Sequence, residues 1–83
     1  MEKGLRGKCD FTNRNDYAIA LVFLGRYEDA ISLLQALEKE TPSHYATAAN
    51  LGTAYELSGK NELALLWIEE GIRRFIQWFR EPQ

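Results

Sequence analysis

His44 and Cys9 are the only histidine and the only cysteine of this 83-residue chain, and they lie far apart along it. A zinc site needs four ligands, or three and a water, and no set of residues here has that spacing. Cys9 and His44 together contain a nucleophile and a base, yet no orienting residue or oxyanion donors accompany them. Gly4 and Gly7 form no phosphate-binding loop, because no strand precedes them and no Gly-Lys-Ser/Thr follows. The acidic pairs Glu28/Asp29 and Glu69/Glu70 read most simply as solvated helix faces. His44 reads as a surface or loop-packing residue beside a turn. The expectation is a chain with no catalytic residues, no metal and no cofactor.

Composition narrows the classes further. Ten Lys/Arg against twelve Asp/Glu give a net charge of −2, which makes no electrostatic case for nucleic acid. The one local excess, Lys3, Arg6 and Lys8, falls in residues 1–10, read as a flexible, solvated leader. Apolar residues make up 46% and charged residues 27%, as in ordinary globular domains, so disorder is not expected. A single cysteine allows no intrachain disulfide. No apolar leader follows Met1, and no run approaches the roughly 18 apolar residues of a membrane span. The cytoplasm is the default expectation.

Positioning residues must therefore come from helices, since the apolar residues recur at helical spacing rather than alternating. Four helices are expected. The first begins within Asp10 to Asn13 and ends at Gly25; the second runs from about Tyr27 to Lys39 and is stopped by Pro42. The third spans about His44 to Leu57 with Ser43 as its cap, and Ser58-Gly59 closes it. Asn61 is the expected cap of the fourth. Small residues then mark where paired helices approach most closely: Ala20, Ala30, Ala54, Ala64 and Gly52.

The organisation repeats. Gly25-Arg26-Tyr27-Glu28-Asp29-Ala30 recurs, loosely, as Gly59-Lys60-Asn61-Glu62-Leu63-Ala64, and Ala20 recurs as Ala54, each 34 residues on. The second copy reads Leu51-Gly52-x-x-Tyr55 and then Ala64-x-x-x-Ile68. The first reads Tyr17-Ala18-x-x-Leu21 and Ala30-x-x-x-Leu34, and closes on Pro42. Over residues 11–76 the chain resembles tetratricopeptide repeat proteins, whose helix-turn-helix unit has this period. The resemblance implies an all-α fold of the solenoid type, with one repeat over residues 11–44 and another over 45–76. It also implies protein or peptide binding rather than catalysis.

By that resemblance the concave, peptide-binding face carries Asn15, Ile19, Val22 and Phe23 from the first unit, and Ala46, Ala49, Asn50, Thr53, Glu56 and Leu57 from the second. Some members hold a C-terminal carboxylate with a clamp of two lysines, two asparagines and an arginine over three repeats. Asn50 occupies one clamp position, but Asn15 stands where lysine is needed, Ile19 where asparagine is needed, and a third unit is absent. A carboxylate needs several charge-assisted donors, so chaperone-tail binding is not expected. Helical-repeat RNA binders need a basic inner face, which is missing.

The fourth helix departs from the pattern. Ile76 stands where the first repeat has Pro42, and no breaker appears before Pro82, so one helix of about 30 Å is expected over Asn61 to Arg80, with residues 77–83 as extension and tail. At about 100° per residue, Ala64, Leu65, Ile68, Ile72, Phe75, Ile76 and Phe79 share one face, with Trp67 and Trp78 on its flanks. Two readings follow for this unpartnered stripe. Either the helix pairs with its copy in a homodimer through Leu65, Ile68, Ile72, Phe75, Ile76, Trp78 and Phe79, or a longer array once covered it. Glu69, Glu70 and Glu81 dilute Arg73, Arg74 and Arg80 and argue against a membrane-surface helix.

Overall fold

In the computed structural model, residues 2–81 are described, with side chains from Asn13 onward. They form an all-α fold of four helices: α1 Glu2–Phe23, α2 Tyr27–Glu40, α3 Tyr45–Leu57 and α4 Asn61–Arg80. No strand occurs among the described residues. Helix α1 runs on to Glu2, so the start expected near Asp10–Asn13 lies inside the helix, as does most of the stretch read as a leader.

Two hairpins, α1/α2 and α3/α4, lie side by side, and α3 packs against all three other helices. Their turns are built alike. In the first, the Gly25 amide donates to the Val22 carbonyl (3.0 Å) and the Arg26 amide to that of Leu21 (2.8 Å). Thirty-four residues on, the Gly59 amide donates to Glu56 (3.1 Å) and the Lys60 amide to Tyr55 (2.8 Å). This double closure satisfies the last carbonyls of a helix and needs a left-handed residue. Gly25 (φ 83°) and Gly59 (φ 92°) supply it, a conformation that a Cβ would penalise.

The other junction differs in its cap. Ser43 was the expected N-cap of α3, but His44 takes the position: its Nδ1 accepts from the Ala46 amide at 3.1 Å. An imidazole reaches the amide two residues on as a serine hydroxyl would, so the histidine has a structural task. At α4 the cap position belongs to Lys60, which makes no side-chain cap bond, and Asn61 is the first helical residue.

The core is a single cluster. Ala18, Leu21 and Val22 of α1 meet Ala30, Ile31, Leu34 and Leu37 of α2, and Leu51, Ala54 and Tyr55 of α3 continue it to Ala64 of α4. Gln35 of α2 donates to the buried Tyr55 hydroxyl at 3.1 Å, which satisfies the polar end of that ring. Ala30, Ala54 and Ala64 are buried as expected, but Ala20 is exposed, and Ala18 takes the buried place on α1. Ala54, in the matching register of α3, faces the core that α2 helps to form; Ala20 instead lines an open hollow.

Helices α3 and α4 approach most closely where they have least side chain. A Cβ on Gly52 would collide with Ile68 Cγ1 and lie 3.0 Å from the Ile68 nitrogen and 3.1 Å from the Ala64 carbonyl oxygen. A Cβ on Gly71 would meet the Ala49 nitrogen at 3.1 Å and its Cα at 3.3 Å. Gly52 was legible as a contact residue; Gly71, in mid-helix, is a second one that its neighbours hid.

Candidate functional sites

The chain presents two surfaces, a hollow between α1 and the start of α3 and a ridge along α4. The hollow, about 570 Å³, is lined by Asn15, Asp16, Ile19, Ala20, Phe23, His44, Ala46 and Asn50. Five residues expected on a concave face therefore come together here: Asn15, Ile19, Phe23, Ala46 and Asn50. Val22 does not line it, because that side chain is buried in the core. Ala49, Thr53 and Glu56 lie elsewhere on α3, Ala49 against Gly71 of α4. The Thr53 hydroxyl donates to the Ala49 carbonyl at 3.1 Å.

Helix α3 sets the chemistry of the hollow. Asn50 Nδ2 donates to Asn15 Oδ1 (2.9 Å), and Asn15 Nδ2 donates to Thr47 Oγ1 (3.3 Å). Asn15 is 5% exposed and Thr47 fully buried, so this amide ladder ties α1 to α3 across the core edge. A buried amide is stable only with such partners. No lysine or arginine lines the hollow, and its exposed apolar elements are the Phe23 ring and Ala20.

The ridge is α4. One unbroken helix covers Asn61–Arg80, as its spacing predicts, and only Ala64 and Gly71 on it are buried. Leu65 (59% exposed), Ile72 (55%), Ile76 (45%) and Phe79 (72%) form an outward apolar row at helical spacing. Ile68 is half-buried against α3. Phe75 and Trp78 bridge ridge and body. The Tyr45 ring of α3 lies 5.1 Å from Phe75, edge-on, and 5.6 Å from Trp78, while Phe75 stacks on Phe79 at 6.2 Å. Edge and offset contacts of this kind are the favourable aromatic geometries. Trp67, eleven residues before Trp78 and so on the same side of the helix, is partly buried against the core.

Sequence reasoning gave Arg74 no role beyond adding charge near Trp78. The structure places its guanidinium between three segments: fork-to-fork on Glu38 of α2 (2.9 and 2.6 Å), on Glu70 (2.7 Å), and on the His44 carbonyl (3.0 Å). It also lies 5.8 Å above the Trp67 ring. Hydrogen bonding to Glu38, and then to Glu70, raises its pKa further above that of an ordinary arginine, although burial opposes this. Bonds from Arg73 and then Arg74 lower the Glu70 pKa, and a bond from Arg14 lowers that of Glu40. A contact spanning 36 residues leaves no periodic trace in a sequence; only the residue types, Arg and Glu, were visible.

Among the described residues no three His, Cys, Asp or Glu side chains gather so as to hold a metal, and no helix is long and apolar enough to cross a membrane. The Cys9 side chain, one half of the nucleophile–base pair considered from sequence, lies outside the described residues. Against known proteins, the chain matches no family model, no curated sequence and no solved structure.

Proposed function

We propose that the chain is a non-catalytic protein-interaction module of the tetratricopeptide type, which joins a second copy of itself through the outer face of α4. The observation that carries this reading is the row Leu65, Ile72, Ile76 and Phe79, each at least 45% exposed on a continuous helix that buries only an alanine and a glycine. Completing the burial of these four side chains is worth about 1 kcal/mol each, or about 8 kcal/mol over two copies. Association costs about 4–15 kcal/mol in lost freedom. The row alone is therefore marginal, and Phe75 on its margin and the flanking ion pairs must contribute. A micromolar dissociation constant needs about 8 kcal/mol net, so contacts beyond the row must supply at least about 4 kcal/mol of it.

Light scattering behind a sizing column tests the reading. The expected mass is twice the 9.6 kDa of one chain at tens of micromolar, falling to 9.6 kDa for Ile72→Asp with Phe79→Asp. Both residues are exposed within one copy, so the monomer keeps its helicity and its stability changes by no more than about 0.5 kcal/mol. A wild-type mass of one chain at that concentration rejects self-association.

A second reading rests on the hollow: the exposed Phe23 ring and an uncharged amide pair suit an extended, apolar peptide better than an acidic tail. The cytoplasm is the compartment we assign on either reading, since a lone cysteine supplies no disulfide.

A further inference from the structure

We infer that the two copies pair antiparallel along α4, in a register whose two-fold axis passes beside Gly71 and Ile72; this inference rests on the self-association reading above. The outward row places Leu65, Ile72 and Phe79 at successive intervals of seven, so they stack along one line of the helix surface. What distinguishes the directions is what flanks that line. At about 100° per residue, Glu62, Glu69, Arg73 and Arg80 all fall on one flank. The opposite flank holds Ile68 and Phe75, which lead down to α3.

The charged flank is itself polar along its length. Its acids lie towards the start of α4 and its bases towards the end. A two-fold axis perpendicular to the helix keeps the charged flanks of both copies on the same side and reverses their direction. Glu69 then faces the partner's Arg73, and Glu62 faces the partner's Arg80. Both pairs have their midpoint at Gly71, while Leu65 with the partner's Phe79 has its midpoint at Ile72, so one register serves the ions and the apolar row together. Arg73 uses Nε and Nη2 on Glu70 of its own chain, which leaves Nη1 to take a second carboxylate.

A parallel pair lacks these features. Its two-fold axis would lie along the helices and set the charged flank of each copy against the Ile68/Phe75 flank of the other. The positive ends of both helix dipoles would also sit together.

Cysteine cross-linking in a Cys9→Ser background tests direction separately from association. Ile72→Cys lies near the axis in either direction and is expected to form a disulfide dimer under mild oxidation. An equimolar mixture of Leu65→Cys and Phe79→Cys is expected to give the mixed dimer, with little of either homodimer. If Leu65→Cys cross-links to itself instead, antiparallel pairing is overturned and self-association stands. If Ile72→Cys does not cross-link and the mass stays at one chain, both fail. As a second readout, Glu69→Arg is expected to weaken the dimer about tenfold, because symmetry removes the pair twice. Adding Arg73→Glu is expected to restore it to within about threefold; no restoration counts against this register.

Discussion

Helices α2 and α4 are the second arms of two hairpins with matching turns, yet they spend their apolar residues in opposite ways. Helix α2 buries Ala30, Ile31, Leu34 and Leu37 within 14 residues, enclosed between α1 and α3. Helix α4 buries only Ala64 and Gly71 within 20, although its contact with α3 is the most extensive in the molecule. The difference shows that close approach and burial of large side chains are separate quantities. Two helices meet through their smallest residues, and a helix flanked on one side only must turn its larger ones outward. Of the two second arms, α2 therefore supplies buried core and α4 supplies exposed apolar surface.

Truncation breaks the comparison most directly. Leu37→Ala removes a fully buried side chain of α2 and is expected to cost about 2–5 kcal/mol in urea unfolding. The equivalent loss on the ridge, Ile72→Ala, is expected to cost well under about 1 kcal/mol when measured where the protein is monomeric. Equal effects would erase the distinction between the two arms.

Overpacking tests the small-residue contact. Ala64→Phe has no room beside Gly52 and is expected to lower stability by about 1–3 kcal/mol; an unchanged melting temperature would contradict the close approach. Arg74→Ala is expected to cost a similar 1–3 kcal/mol, about what is lost when a half-buried carboxylate such as Glu38 forfeits its partner.

Acid titration gives the smallest effect. The Glu70 pKa is lowered in the folded state, beneath its ordinary 4.5, by Arg73 and Arg74. Its contribution is therefore complete above the unfolded value and lost as pH falls below about 4.5 through the folded value. Glu70→Gln is expected to flatten that part of the stability curve by under about 1 kcal/mol, as for a partly exposed ion pair.

Much of the framework was legible because it is periodic. Repetition at 34 residues located both glycine turns, Pro42 marked the end of α2 to within two residues, and the lack of any breaker before Pro82 gave α4 its full length. The outward row was readable for the same reason. What escaped lies in contacts that do not repeat. Ser43 and His44 are both plausible caps, and only backbone geometry chose the imidazole. Ala20 and Ala54 share a register, but helices surround α3 in a way they do not surround α1, so one is exposed and the other buried. Val22, placed by analogy on a concave face, turned inward because the first hairpin needed it as core.

The fork of Arg74 on Glu38 has one further consequence. No pair of Cα atoms in α2 and α4 comes within 8 Å, yet this guanidinium joins the two arms directly. It adds a direct polar tie between hairpins that already share one hydrophobic core. With Arg74→Ala, amide exchange at the distal turns of α4 should quicken relative to exchange in α2, while thermal unfolding stays a single transition.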